Sequence, residues 1–336
     1  PGDAAEDRGS IPESASPHSA SPGGAAVTPP TPPRDTPAGR AYNDLRNLAR
    51  RQHRDPAEYI TLYALEGFLA RLAASEFATD FVLKGGVLMA AFAERRPTRD
   101  IDLAADGFPN DIPEVEQRVR SILTVDVDDG LQFDPDSVQG EPIRDDADYN
   151  GVRVKVTARL ATAHVALHID VNFGDPIWPA PTEAVLPRLL GGELRLRGYP
   201  DHMVLAEKIV TAIERGDQNT RWRDFTDIAA IARTRPIDGP TLQEAVTVVA
   251  RYRHVAIEPF EPLLAGMPAI AQRKWEVWRK KQRLEQSTPA NLSELLRTCT
   301  NFVEPVLVGR VGDQTWDPNS RTWKETETGS ADHQPS

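Results

Sequence analysis

The chain has 336 residues, 40% of them hydrophobic, which is enough to bury a sizeable core in one large or two ordinary domains. A net charge of −11 argues against simple coating of nucleic acid, because binding through phosphates depends on Lys and Arg. No apolar stretch approaches the roughly 18 residues of a membrane span, and the N-terminus lacks the pattern of a signal peptide. We therefore expect a cytoplasmic protein without a membrane partner. The single cysteine, Cys299, is expected to fill space in the core.

Composition divides the chain into four parts. Residues 1–39 are dominated by Pro, Ala, Ser and Gly and have almost nothing to bury, which predicts a disordered leader. Residues 312–336 are similarly polar, and their two tryptophans are too isolated to build a core, so a disordered tail is expected. Residues 40–199 are predicted to form a mixed α/β domain, and residues 200–311 a helical C-terminal domain.

The first ordered elements combine helices with short strands. Apolar residues at helical spacing predict two helices, followed by a strand, a Gly-Gly turn and a third helix. Another short strand and a helix come next. These elements are expected at 41–52, 56–74, 81–83, 87–93, 101–104 and 113–123.

Two longer strands follow, because the apolar period changes to two. Residues 152–160 and 165–173 alternate apolar and polar side chains, so each strand has one face for helices to cover and one polar face. The polar face of the second strand carries His164, His168, Asp170 and Asn172. From residue 201 onward helices are expected at 201–215, 222–233, 241–253, 268–284 and 292–306. The predicted fold class is therefore α/β (α+β), a mixed sheet with helices on one face, and the open face is the expected site.

Three aspartates indicate a metal site on that open face. Asp100 and Asp102 lie two apart at the start of a predicted strand, so their carboxylates project to the same side. Asp170 lies on a later strand with its own polar face. Three converging carboxylates can hold two Mg²⁺ ions, or Mn²⁺ in their place, which prefer oxygen ligands and complete their shells with water and substrate phosphates. Such ions stabilise both the attacking and the leaving oxygen of a phosphoryl displacement.

A glycine turn precedes the aspartate pair. Gly85 and Gly86 open a helix after a strand, so the backbone can approach a triphosphate and offer N–H groups at the positive end of the helix. Each feature alone is weak, since Gly-Gly turns are common and most Asp-x-Asp pairs are surface features. The ordered combination of strand, glycine turn, helix, aspartate pair and distant third aspartate predicts phosphoryl-transfer chemistry.

Basic residues near these motifs can neutralise phosphate charge. The candidates beside the acids are Lys84, Arg95, Arg96 and Arg99. The most basic segment, residues 273–283, interleaves cations with Trp275 and Trp278. It predicts either a helix that grips RNA by charge and stacking or tryptophans that pack inward beneath a charged face. The chain has no recognisable Cys and His cluster, so zinc is not expected.

The C-terminal helices carry three further candidates. Lys208 lies on a helix with an apolar face, so its ammonium either reaches a triphosphate or is an ordinary surface lysine. Asp224 and Asp227 are three apart and share a helix face, where they form either a functional acid site or an intrahelical ion-pair cluster. His164 and His168 share the face of Asp170, although a histidine on a polar strand face is usually just solvated.

Four motifs carry a family resemblance. Residues 81–90, Phe-Val-Leu-Lys-Gly-Gly-Val-Leu-Met-Ala, and residues 98–103, Thr-Arg-Asp-Ile-Asp-Leu, resemble the opening motif of the AbiEii/AbiGii (MenT-like) toxin family of nucleotidyltransferases. That family belongs to the DNA polymerase β-like superfamily. Residues 205–210 and 221–228 are similar to its C-terminal Lys and Asp motifs. The resemblance spans residues 59–233, most of the ordered chain.

The resemblance implies roles for individual residues. Asp100 and Asp102 match the metal-binding pair, Gly85 and Gly86 the nucleotide-phosphate turn, Lys208 the lysine that contacts nucleotide phosphates, and Asp227 or Asp224 the final acid. Many relatives have Ser after the first glycine of the turn. This chain has Gly86 there, which loses a hydroxyl but keeps the backbone donors.

The resemblance also implies a function. It indicates a metal-dependent nucleotidyltransferase toxin of a type IV-like toxin–antitoxin or abortive-infection system, with a cognate antitoxin as partner. Such a toxin would transfer NMP from an NTP to the 3′ end of tRNA, release pyrophosphate and block translation. The residues themselves leave two alternatives open. One is transfer to a protein or small-molecule hydroxyl, and the other is a nucleotide-binding regulator without turnover.

Overall fold

Helix starts in this chain are set by capping side chains followed by proline. The computed structural model describes residues 32–92, 98–143 and 151–326. In four of its helices an N-cap side chain accepts a backbone N–H bond and proline occupies the first turn, where it costs no hydrogen bond. These N-caps are Thr36, Asp55, Asp111 and Asp238. Each cap therefore fixes where its helix begins.

The helices agree closely with the apolar spacing. Those predicted at 56–74 and 201–215 have the predicted bounds. The helices are α1 (Pro37–Arg51), α2 (Pro56–Ala74), α3 (Gly85–Phe92), α4 (Ile112–Leu123), α5 (Asp201–Arg215), α6 (Trp222–Thr234), α7 (Gly239–Tyr252), α8 (Phe260–Leu264), α9 (Met267–Gln282) and α10 (Leu292–Leu307). None of the described helices is long and apolar enough to cross a membrane.

Seven strands form one mixed sheet in the order β3-β4-β5-β2-β1-β7-β6. β2 is parallel to β5 and β1 is parallel to β7, whereas the other neighbouring strands are antiparallel. The strands are β1 (Phe81–Lys84), β2 (Asp100–Ala105), β3 (Leu131–Ile143), β4 (Gly151–Leu160), β5 (Ala163–Asn172), β6 (Thr182–Pro187) and β7 (Glu193–Gly198). This sheet, followed by the helices from α5 onward, confirms the predicted mixed α/β fold class.

Alternation in β4 and β5 separates a packed face from an open face. Val154, Val156 and Ile169 are fully buried, whereas Lys155 and Thr157 between them in sequence are exposed. Helix α2 packs on β5 and β7, and α4 packs on β3. The apolar face of the sheet therefore joins the helices in one hydrophobic core, which also contains the buried Cys299.

Both predicted disordered ends need correction where the structure describes them. Residues 37–39 of the predicted leader form the start of α1, while residues 1–31 lie outside the described residues. In the predicted tail, β9 (Gln314–Asp317) and β10 (Thr322–Glu325) form a second sheet with β8 (Ile237–Asp238). The prediction of disorder is wrong for these segments, because each finds partners far away in the chain.

The tryptophans of this second sheet build a small aromatic core. Trp316 is 3% exposed, and its indole N–H donates to the carbonyl of Ala232 at 2.6 Å. Phe302 of α10 lies edge-on to Trp316 at 4.9 Å between ring centroids and stacks on Trp323 at 5.6 Å. The two tryptophans therefore attach the C-terminal strands to α6 and α10.

Replacing Trp316 should destabilise the whole protein. We expect Trp316→Ala to lower the free energy of unfolding by about 3–5 kcal/mol, because it removes a buried ring and leaves a cavity. Urea unfolding followed by circular dichroism measures this change. Tyr252→Ala, at an aromatic side chain that is 45% exposed, is the control and should cost much less. Equal losses in the two variants would contradict a structural role for the second sheet.

Candidate active site

One row of charged side chains crosses the open face of the sheet. Lys84 of β1 lies opposite Asp102 of β2, and Asp102 lies opposite Asp170 of β5. Asp170 in turn lies opposite Arg153 of β4, which lies opposite Glu141 of β3. Side chains that are directly opposite in neighbouring strands project to the same face. The register therefore brings five charged groups, three of them acids, side by side.

A second row lies beside the first. Asp100 of β2 is opposite His168 of β5, and the His168 Nδ1 is 3.2 Å from the Asp100 Oδ1. His168 is opposite Lys155 of β4. Since Asp100 is two residues from Asp102 on the same strand, its carboxylate projects to the same face. The structure thus places Asp100, Asp102 and Asp170 on one face, in agreement with the alternation in the sequence.

The carboxylate of Asp102 carries the clearest electrostatic signal of a binding site. Burial raises the pKa of Asp102 above its ordinary value, and the neighbouring charges of Asp170 and Asp100 raise it further. Lys84 and a hydrogen bond from the backbone N–H of Gly86 oppose this rise but do not cancel it. A bound cation would relieve this excess of negative charge.

Gly85 allows the Asp102 side chain to lie directly against the backbone. Its φ of +68° is in the left-handed region, and a Cβ atom at this position would overlap Asp102 Oδ2. Helix α3 begins here, so the positive end of its dipole lies beside the carboxylate that Gly86 contacts. The glycine turn that we predicted to contact nucleotide phosphates thus also holds an acid of the proposed metal site.

Asp170 is held by Arg153, a residue that the sequence analysis did not single out. Arg153 Nε lies 2.8 Å from Asp170 Oδ1, and Arg153 Nη2 lies 2.7 Å from Oδ2. This two-point hydrogen bond raises the pKa of Arg153 above its ordinary value. Among the residues that the structure describes, no three Asp, Glu, His or Cys side chains are arranged to hold a metal ion.

Asp100 and Asp102 are nevertheless a suitable pair for a magnesium-type ion. Such an ion needs only one or two carboxylates from the protein, because water and substrate phosphates complete its shell. The raised pKa of Asp102 shows that its negative charge is only partly compensated. Asp170 accepts hydrogen bonds from Arg153 on both oxygens, so its predicted role as a third ligand would require Arg153 to leave.

Lys84 is buried in an ion-pair cluster rather than exposed to solvent. Its Nζ lies 2.7 Å from Glu207 Oε1 and 3.1 Å from Asp175 Oδ2, and 5.1 Å from the centre of the Tyr199 ring. Glu207 belongs to α5, so this ion pair fixes α5 against β1 at the residue before Gly85. Lys84 thus has a structural role beside the one predicted for it in phosphate binding.

The remaining predicted residues form a second cluster between α5 and α6. Lys208 Nζ lies 2.8 Å from Asp227 Oδ2 and 3.2 Å from Asp224 Oδ1. Both aspartates are buried, and Asp224 is also 2.8 Å from Arg221 Nε. Lys208 therefore contacts both acids between which the sequence could not choose. Lys208 follows Glu207 directly in α5, so the same turn of this helix contacts both this cluster and, through Glu207, Lys84 of the sheet.

The structure describes some of the other residues that the sequence predicts to contact nucleotide or RNA. Arg99 is exposed directly before β2, and Arg95 and Arg96 lie outside the described residues. Trp275 is fully buried and stacks on Trp278, with the ring centroids 5.4 Å apart. The segment at 273–283 therefore packs Trp275 inward, and its exposed side chains are the ones that a partner can reach.

The electrostatic strain at Asp102 predicts a gain in stability when its charge is removed. The folded state holds the Asp102 proton more tightly than the unfolded state, so stability falls as the pH rises from the unfolded pKa through the raised folded pKa. Asp102→Asn should therefore raise the free energy of unfolding at pH 7.5.

Urea unfolding in EDTA at pH 7.5 and at pH 4 tests this expectation. The gain should be largest at pH 7.5 and should shrink at pH 4, where less of the Asp102 charge remains to be removed. Asp128→Asn, at an exposed acid, should change stability by less than about 0.5 kcal/mol at either pH. A loss of stability in Asp102→Asn at pH 7.5 would contradict the expectation.

The chain is similar to several solved structures, two of which come from Helicobacter pylori, and it matches one family. A candidate nucleotidyltransferase from Helicobacter pylori is 14% identical, with 76% of this chain and 94% of that chain covered and a TM-score of 0.38. JHP933 from Helicobacter pylori is 12% identical, with 73% and 90% covered and a TM-score of 0.40. No match to the chain was found among curated proteins.

The family match spans the elements that build the site. Residues 67–298 match the family described as "Nucleotidyl transferase AbiEii toxin, Type IV TA system". This range contains the glycine turn, all three aspartates of the sheet face, and the Lys208 cluster of α5 and α6. The chain therefore belongs to the AbiEii family of nucleotidyltransferase toxins of type IV toxin–antitoxin systems.

Proposed function

We propose that this protein transfers NMP from an NTP to the 3′ end of tRNA in a metal-dependent reaction and thereby blocks translation in the cytoplasm. Membership of the family implies an NTP substrate and a cognate antitoxin. The observation that carries the proposal is the placement of Asp100 and Asp102 on an open sheet face beside the Gly85–Gly86 turn. The choice of tRNA as acceptor follows from the family resemblance of the motifs.

The proposed chemistry requires few protein groups. The 3′-hydroxyl group of the acceptor gives up its proton to solvent, its oxygen bonds to the α-phosphorus, the bond from that phosphorus to the bridging oxygen of the β-phosphate breaks, and pyrophosphate leaves. Asp100 and Asp102 would hold Mg²⁺, or Mn²⁺, which would stabilise charge on the α-phosphate and lower the pKa of the attacking hydroxyl. The main task of the protein is then to position the two substrates.

Lys208 is the proposed contact for the β- and γ-phosphates. Its two buried aspartate partners restrict the side chain, so its ammonium group is positioned before a substrate arrives. Asp224 and Asp227 then act as positioning residues rather than as ligands of the reacting atoms. Because α5 also carries Glu207, which pairs with Lys84 of β1, the proposed phosphate contact is next in sequence to a residue anchored beside the proposed metal site.

Labelling experiments test the reaction and the acceptor together. We expect purified protein with total tRNA, Mg²⁺ and one α-³²P-labelled NTP at a time to transfer label to RNA, and EDTA to abolish the transfer until Mg²⁺ or Mn²⁺ is restored. Gel analysis of RNA and protein in the same reactions identifies the acceptor. Label on protein alone would move the proposal to a protein hydroxyl. Binding of NTP without any transfer would indicate a non-catalytic regulator.

A further inference from the structure

Arg153 occupies the carboxylate that a second metal ion would need. It forms hydrogen bonds to both Asp170 oxygens, at 2.8 and 2.7 Å, from the directly opposite position on β4. Such a two-point pair is among the stronger hydrogen-bonded contacts in proteins. Among the described residues, neither Asp100 nor Asp102 has such a two-point partner, whereas Asp170 can bind a cation only by exchanging one positive partner for another.

The two partners differ in their freedom to move. The Asp170 side chain is 13% exposed and short, and its strand is hydrogen-bonded on both sides, to β4 and to β2. The Arg153 side chain is 39% exposed and is long enough to turn toward solvent without moving the backbone. Binding of a cation to Asp170 therefore requires the Arg153 side chain to move away, while the Asp170 side chain stays in place.

The acid on the other side of Arg153 is hydrogen-bonded to a different cation. Glu141 lies opposite Arg153 on β3, but its Oε2 is 2.7 Å from the Nζ of Lys155. Glu141 is therefore paired with Lys155, and the guanidinium group of Arg153 forms its hydrogen bonds with Asp170. Among the described residues, Arg153 is thus the positively charged partner that is hydrogen-bonded to Asp170 on the open face.

We propose that Arg153 is a built-in competitor of the divalent cation, and that Asp170 joins the metal site only when Arg153 withdraws from it. The inference rests on the proposed function and deepens it, because it makes the metal requirement of the site depend on a positioning residue. In the absence of cation, Arg153 neutralises one of three crowded acids and so stabilises the empty site. When cation is present, its concentration must be high enough to displace Arg153 before Asp170 can bind it.

Binding of Mn²⁺ in the absence of nucleotide and RNA is the direct test. Free Mn²⁺ gives an electron paramagnetic resonance signal that falls as the ion binds to protein, so a titration yields affinity and stoichiometry. We expect Arg153→Gln to bind Mn²⁺ about tenfold more tightly than the unsubstituted protein. Arg153→Lys keeps the positive charge but cannot form the two-point contact, so its affinity should lie between the two.

Removal of Asp170 separates competition from a general charge effect. If Arg153 acts by occupying Asp170, the gain from Arg153→Gln should disappear in an Asp170→Asn background. Arg159→Gln is the matched control, because Arg159 lies on the same face of β4 and hydrogen-bonds to the neutral Gln132 rather than to a site acid. Arg159→Gln should leave the Mn²⁺ affinity within about twofold.

Three outcomes would overturn the proposal. They are equal Mn²⁺ affinity with and without Arg153, a gain that persists in the Asp170→Asn background, and absence of Mn²⁺ binding in every form. Thermal unfolding of each variant checks that it is folded, and Arg153→Lys carries the comparison if Arg153→Gln is not. Because no nucleotide or RNA is added, failure of the transfer reaction would leave the Mn²⁺ result interpretable, and the two proposals fail separately.

Discussion

Asp102→Asn should lower NMP transfer by about a thousandfold or more. The substitution keeps the shape of the side chain and can still accept the hydrogen bond from the Gly86 backbone N–H. It removes the negative charge that would hold the metal ion beside Asp100. The loss should therefore appear in kcat/KM for the NTP, measured as label on RNA with increasing Mg²⁺, and excess Mg²⁺ should restore little of it.

Glu141→Gln is the matched control for this loss of activity. Glu141 lies in the same cross-strand row and carries the same charge, but it is 47% exposed and paired with Lys155 at the edge of the site. Its removal should change transfer by less than about threefold. If both variants lost activity equally, the face as a whole, rather than the aspartate pair, would control the reaction. Asp102→Asn should at the same time be the more stable protein, as is common where a site is built at the cost of stability.

The sequence was sufficient to place Asp100 and Asp102 on one side of their strand, whereas the position of Asp170 beside them depends on the pairing of β2 with β5. A period of two in β4 and β5 and a spacing of two between Asp100 and Asp102 determine which side chains share a face, whatever the neighbouring strands are. The pairing of Arg153 with Asp170 could not be predicted from the alternation of side chains. This pairing depends on a two-residue turn at Ala161 and Thr162, which lacks the Asn-Gly or Asp-Gly signal that would predict the register.

Long-range partners account for what the sequence could not predict. Lys84 meets Glu207 across 123 positions of the chain, and Trp316 meets the carbonyl of Ala232 across 84. Neither contact leaves a periodic pattern, since each involves single side chains from elements that pack only in the folded state. The sequence predicts a polar tail where the C-terminal strands lie for a similar reason. Strand β9 pairs with β8, which has only two residues and is too short to predict.

Gly85→Ala should abolish most of the transfer activity by displacing Asp102. A Cβ atom at Gly85 would overlap Asp102 Oδ2, so the carboxylate must move away from the Gly86 N–H and from Asp100. A displacement of about 1 Å at a reacting group costs about a hundredfold in rate, and we expect at least this loss. Mn²⁺ binding should weaken in parallel, because the same carboxylate serves both measurements.

Gly107→Ala distinguishes this overlap from backbone strain. Gly107 has a φ of +82°, close to the +68° of Gly85, but no heavy atom of the described residues lies within 4 Å of a Cβ built there. Both substitutions should therefore cost about 1 kcal/mol in unfolding free energy from the left-handed backbone, and only Gly85→Ala should lose transfer and Mn²⁺ binding. If Gly107→Ala lost as much activity, strain in the β1–β2 region would be the cause. If Gly85→Ala kept its activity, Asp102 could not be the acid on which the reaction depends.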